Sequence, residues 1–219
     1  KYSFSDLPRL ISAITANKAV APETLIDIMN RLPQFETSIM SSKNLPASVL
    51  VPLIKNAVSK GGDELWRFIA YAFANPNLPK DLIIPLLDKL NFDEKHLEYS
   101  NRITIVNLIK NQNLDPNIVD KLFSIIKKIK DGQADILEEI LQKPEIDPKH
   151  LYDYMNHRGI KVRRAIIRNP NAPNDILEKL KNDENSTNAK WASKALEDRV
   201  KKASKKKLNE LKLLIRMLM

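Results

Sequence analysis

The sequence has no cysteine, only four glycines (Gly61, Gly62, Gly132 and Gly159) and 6% aromatic residues in a chain of 219. Without cysteine there is no disulfide, no thiolate metal ligand and no cysteine nucleophile. A cysteine-free chain fits a reducing compartment, so the cytoplasm is the expected location. Four glycines at these positions make neither a phosphate-cradling loop nor a dinucleotide fingerprint, which need several at fixed spacing. Long apolar runs are also missing. "LIIPLL" at 82–87 is among the longest, far short of the ~20 residues that span a bilayer, so no transmembrane segment is expected. The opening "KYSFSDLPRL" lacks the apolar segment of a secretory signal.

Groups that could carry a reaction are equally sparse. No serine stands in a nucleophile elbow, and no pair of carboxylates stands out from ordinary surface acids. There are three histidines, His96, His150 and His157. His150, Asp153 and His157 would share one face if a helix ran unbroken from 148. That two-turn spacing is looser than the i, i+4 pairing of helical zinc sites, so no metal, cofactor or catalytic residue is expected.

What the sequence does contain is a repeated stop. Asn75-Pro76-Asn77-Leu78-Pro79-Lys80-Asp81-Leu82 aligns with Asn169-Pro170-Asn171-Ala172-Pro173-Asn174-Asp175-Ile176. Degenerate copies are "NKAVAPETL" at 17–25, "SKNLPASVL" at 42–50, "NQNLDPNI" at 111–118 and "KPEIDPKHL" at 143–151. The first apolar residues after each stop are Leu25, Val49, Leu82, Ile118, Leu151 and Ile176, in the spacing range of helical repeats. Each stop has a local physical reading. Asn tolerates the left-handed conformation that ends a helix, and the following Pro cannot continue it. The second Pro, or an Asp-Pro, opens the next helix, where a missing N–H costs nothing. Acids at Glu23, Asp81 and Asp175 favour the positive end of the helix dipole.

Between stops the apolar spacing is helical, as at Leu82, Pro85, Leu86 and Leu90, or Ile118, Leu122, Ile125 and Ile126. "RITIV" at 102–106 has strand propensity but occupies a first-helix slot and is predicted helical. Each unit is then a helical hairpin that must stack on its neighbours to bury its apolar faces. The expected fold is all-α: an α-solenoid, a right-handed superhelix of about six hairpins over 1–185. Basic capping or extension helices are expected over 186–219.

The stretch "VRRAIIRNPNAPNDILEKLKNDENSTNAKWASKAL", 162–196, resembles the leucine-rich repeat variant family, a relative of the HEAT and armadillo solenoids. Val162, Arg163, Ala165, Asn169, Pro170, Asn171, Pro173 and Leu180 carry the resemblance. Residues 66–90 keep the turn and replace V-R-x-A with "FIAY". The resemblance implies a curved helical scaffold with no catalytic residue. Its iron–sulfur cysteine cluster is absent. HEAT-like DNA glycosylases use a similar architecture, but none of their motifs maps onto Trp66 or Trp191.

Charge is unevenly distributed. The formal net charge is +9; residues 1–185 carry 26 basic and 24 acidic side chains, residues 186–219 carry 10 and 3. Two basic groups stand out: Arg158, Lys161, Arg163, Arg164 and Arg168, with no acid between 154 and 174, and the tail lysines Lys190, Lys194, Lys201, Lys202, Lys205, Lys206 and Lys207. Lys161, Arg164 and Arg168 fall on one helix face. They suit bidentate phosphate or carboxylate recognition, or pairing with Glu138, Glu139 or Asp153 on neighbouring units. Tyr152, Tyr154 and Trp191 lie near them in sequence, either to stack bases or to fill a core. In the last segment Leu208, Leu211, Ile215 and Leu218 form a stripe, which fits a cap on the final hairpin or a basic amphipathic docking helix. The leading expectation is a non-enzymatic scaffold that binds another protein through its concave face and basic C-terminal end. The alternative is nucleic-acid binding through the 158–168 cluster and the 190–207 lysines.

Overall fold

The computed structural model describes residues 6–218 except 41, 62–64, 91–98, 112–113 and 130–131. His96 lies outside the described residues. Among the described residues every regular element is helical and none is a strand. The α-helices are α1 (Leu7–Ala16), α2 (Pro22–Arg31), α3 (Glu36–Met40), α4 (Ala47–Lys60), α5 (Leu65–Ala74), α6 (Ile83–Leu87) and α7 (Tyr99–Asn111). They continue with α8 (Pro116–Ile126), α9 (Gln133–Leu141), α10 (Pro148–Tyr154), α11 (Ile160–Arg168), α12 (Asn174–Leu180) and α13 (Ser186–Leu218). "RITIV" lies inside α7, as its slot predicts. The chain divides into two compact units, Lys1–Ile136 and Leu137–Met219.

In the first unit, helices pack both on their sequence neighbours and one further along: α2 on α3, α4 on α5, and α1 on α3, α3 on α5, α5 on α7, α6 on α8. The faces that meet are apolar at helical spacing, with Leu25, Ile39, Leu50, Ile69, Phe73, Ile105, Leu108, Leu122 and Ile126 closed to solvent. Gly61 ends α4 at φ 61°, a conformation that a side chain disfavours. Asp115 caps α8 by accepting from the Ile118 N–H at 3.0 Å, with Pro116 as the first helical residue. In the second unit α10 packs on α11, α11 on α12, and α13 on both α11 and α12. Leu151, Val162, Ile166, Ile176, Leu177 and Ala192 fill its core.

The stops work differently from the sequence expectation. No described non-glycine residue has positive φ, and Asn169 sits at φ −66°, ψ 119°. Its value lies in the side chain. Asn169, 1% exposed, donates from Nδ2 to the Leu141 and Lys143 carbonyls at 2.8 and 2.7 Å. Its Oδ1 accepts from the Asn171 N–H at 2.8 Å, and Asn171 donates to the Pro144 carbonyl. Asn75 repeats this in the first unit, donating to the Met40 and Ser42 carbonyls while accepting from the Asn77 N–H. Asn77 donates to Lys43 and Leu45, and Asn44 donates in turn to Asn17 and Val20. The stops at Asn44, Asn75 and Asn169 thus satisfy carbonyls at or just before the preceding stop, 24–35 residues earlier.

Other expectations shift by a residue. Leu86, Ile118, Leu122, Ile176 and Leu180 are buried, but Leu82 and Val49 are half-buried and Ile83 and Leu50 take the fully buried places. Leu82 closes a short 3-10 turn, Lys80–Leu82, which rotates the start of α6 by one position. Pro85 is exposed, and Pro52 lies inside α4, so these two prolines do not sit at joints.

Candidate functional site

The basic residues converge on α11 and α13 of the second unit, but in three different situations. Arg163 points inward. Its side chain is 8% exposed, and Nε and Nη2 grip both oxygens of Asp183 at 2.6 and 3.0 Å. Nη2 also reaches Glu184 at 2.8 Å, and Nη1 donates to the His157 and Arg158 carbonyls. The hydrogen bonds from Arg163 hold the Asp183 carboxyl below its ordinary range. Arg163 is therefore a buried strut, not part of an open surface. Its acid partners lie in the α12–α13 connection, not at Glu138, Glu139 or Asp153.

Arg164 and Arg168 turn outward, one helical turn apart. Both guanidinium carbons lie 5.1 Å from the centre of the Trp191 ring on α13. Trp191 remains 36% exposed. This is cation–π geometry, and the flat guanidiniums are held by the ring rather than by acids. Arg164 Nε donates to Asn188 Oδ1 at 3.2 Å; Arg168 makes no hydrogen bond or ion pair among the described residues. Lys161 extends this face, with Glu138 at 3.8 Å, and Arg158 is exposed on the loop before α11.

The third group lies along α13. Asn188, Ala192 and Arg199 face inward, and Asn188 donates to the Ile160 carbonyl at 3.1 Å. Arg199 donates to the Pro170 and Ala172 carbonyls and to Asn174 Oδ1 at 2.5–2.9 Å. It does for the last stop what Asn169 does for the one before, and burial pulls its guanidinium below the ordinary value. Beyond Arg199 the helix is uncovered: every described residue of 200–217 is exposed. Leu208, Leu211, Leu213, Leu214, Ile215 and Met217 are 49–76% exposed. α13 thus packs on α11 and α12 in its first half, while Leu208, Leu211 and Ile215, expected as a cap on the final hairpin, are exposed; Leu218 has no described side chain. Lys190, Lys194, Lys201, Lys202, Lys205, Lys206 and Lys207 are all exposed, and Lys206 lies 3.8 Å from Glu210. Lys181, Lys190, Lys194 and Lys201 ring a shallow depression that Glu197 and Asp198 share.

The histidine arrangement does not form. α10 closes at Tyr154, so His157 leaves the helix, and its Nδ1 accepts from the Gly159 N–H at 2.9 Å. Burial, then the charges of Arg158 and Arg163, push His157 below the usual imidazole value. Tyr152 Oη donates to Asp175 at 2.8 Å, and that bond raises its phenol pKa. Among the described residues no group of acids and histidines could hold a metal, and no helix is long and apolar enough to cross a membrane. The Arg164–Trp191–Arg168 contact was out of reach of sequence spacing, since 23 or more residues separate the ring from its cations. The Arg199 contact was missed for the same reason.

No family model, curated protein or solved structure matches this chain.

Proposed function

We propose that this chain is a non-enzymatic α-solenoid, similar to the leucine-rich repeat variant proteins, that holds another protein on the free end of α13. The asparagine joints within each unit and the packing of α1 on α3, α3 on α5, α5 on α7, α6 on α8 and α11 on α13 support the solenoid reading, because they tie a hairpin to the one before it in the same unit. The observation that carries the binding reading is the uncovered helix 200–217. Seven large apolar side chains are 49–76% exposed there, whereas the exposed ones elsewhere among the described residues reach only 36–45%. Burying a side chain of this kind yields roughly 1.5–3 kcal/mol, so closing a partner over this stripe would gain on the order of 5–10 kcal/mol. Leu208, Leu211 and Ile215 recur at i, i+3 and i+7, the pattern by which a helix docks into an apolar groove.

The test is co-purification of partners by the full chain and by a Leu211→Ala/Ile215→Ala variant, each after nuclease treatment and at two salt concentrations. Alanine keeps the helix and removes the anchors. The expected result is a protein that survives nuclease and high salt with the wild type and is lost with the variant. Loss of every bound protein on nuclease treatment would remove this reading.

A further inference from the structure

We propose that the basic side of α11 and α13 is a separate binding site for single-stranded nucleic acid, centred on Trp191 with Arg164 and Arg168. The proposal does not depend on the protein-binding stripe and uses different residues. Two cations share one indole ring with no carboxylate between them, an arrangement whose mutual repulsion a bound anion relieves. Both guanidiniums lie beside the ring with N–H groups that can make bidentate contact with a phosphate.

Trp191 is one turn before Lys194, and Lys194, Lys201, Lys205, Lys212 and Arg216 follow at spacings of 7, 4, 7 and 4 residues. That spacing sets five cations on one face of a continuous helix, a line about 33 Å long at 1.5 Å per residue. None of the five makes a hydrogen bond or an ion pair among the described residues, and all are exposed. Asp198 lies within the line, between Lys194 and Lys201, Glu197 lies beside it, and Glu210 is engaged by Lys206, so the row carries a net excess of four positive charges. A long straight row of cations matches a regular linear polyanion. The partly exposed indole adds what an acidic peptide does not require, a flat surface for a base. Base stacking on an aromatic beside a cationic track is how single strands are held without sequence preference. Duplex bases are already stacked and would leave the ring unused.

The chain supplies its own reporter. Trp66 and Trp191 are the two tryptophans, so Trp66→Phe leaves emission from Trp191 alone. In that background the full chain is titrated with a 20-nucleotide oligothymidine at 50 and 200 mM salt. Saturable quenching is expected at low salt. With five to seven phosphates contacted, affinity should fall roughly 100- to 1,000-fold at the higher salt. Arg164→Ala/Arg168→Ala should weaken binding at least tenfold and reduce the log–log salt slope by about 1.4. Since Arg164 also contacts Asn188, a second variant, Lys194→Ala/Lys205→Ala/Lys212→Ala, alters only exposed side chains and should lower the slope by about 2. Leu211→Ala/Ile215→Ala should bind as the parent does. No saturable quenching at low salt, or equal binding by both basic variants, overturns the site. Equal affinity and quenching with poly-glutamate of matched length would assign the surface to an acidic protein instead. Duplex DNA that binds as tightly as the single strand would overturn the single-strand assignment.

Discussion

At the scale of single residues, asparagine and arginine side chains that reach some 20–35 positions along the chain hold each unit together. Asn169 serves two carbonyls and one N–H from a buried position. Replacing it with alanine strands those groups away from water, and Asn169→Ala should cost about 2–4 kcal/mol in chemical unfolding. The partly exposed Asn171→Ala should cost well under half of that. Arg163 poses the ionic version of the same problem. Arg163→Met leaves the Asp183 carboxylate enclosed without its cation and should cost about 3–5 kcal/mol, while Arg163→Met/Asp183→Leu should recover much of the loss. The sign of the pH dependence follows from the shifts. Asp183 is held below its unfolded value of 3.8, so its contribution is complete above that pH and is lost as pH falls further. His157 is held below 6.5, so the fold disfavours its protonation and stability begins to decline as pH drops through 6.5. Both groups act in the same direction: the midpoint of thermal unfolding should be flat well above pH 6.5, begin to slip as pH falls through 6.5, and fall further below 3.8. A midpoint that rises on acidification would contradict both. The sequence marked Asn75 and Asn169 as stops but gave the wrong cause. It displays a residue type, whereas the partners of that residue lie in another loop and become visible only in three dimensions.

At the scale of elements, the periodic pattern located the helices well and their phase less well. Ile118, Leu151 and Ile176 open their helices on the buried side as expected, but a 3-10 turn before α6 moved that place from Leu82 to Ile83. Local turn type is decided by tertiary contacts as well as by Pro79 and Asp81, so a one-residue slip is inherent in reading phase from apolar spacing. The consequence can be measured. Leu86→Ala, at 3% exposure, should cost roughly 2–5 kcal/mol, and Leu82→Ala less than half as much. Equal costs would mean that the turn does not set the register. In α11 and the loop before it, the sequence grouped five basic residues as one cluster. The fold divides them, because Arg163 stands next to Val162 on the side facing the core while Arg164 and Arg168 lie around the helix towards Trp191. Consecutive residues are about 100° apart on a helix, and only the position of the core decides which of them reaches solvent.

At the scale of the whole chain, α13 is two elements in one. Its first half completes the second unit through Asn188, Ala192 and Arg199, and every described residue of its second half is exposed. Composition alone showed the charge excess of 186–219 but could not divide it, because lysine stems accompany a packed helix as readily as a free one. Two truncations separate the halves. Ending the chain after Ala203 removes five basic residues and one acid, taking the net charge from +9 to +5, along with the exposed stripe at 208–217. It keeps Arg199 with a helical turn beyond it. That chain should unfold at the same temperature as the full protein to within about 2 °C, since exposed positions away from packing contribute little. Ending after Asn185 instead removes Asn188, Ala192 and Arg199, uncovers the faces of α11 and α12, and returns the Pro170 and Ala172 carbonyls to solvent. The second unit then lacks a terminal cover, which stacked hairpins require, and its unfolding should shift down by 10 °C or more or cease to be cooperative. Scanning calorimetry of the three chains at one pH and salt concentration decides the matter. A large loss on ending after Ala203 would show that 204–219 is held by contacts within the chain, and the stripe at 208–217 would then be unavailable to a partner.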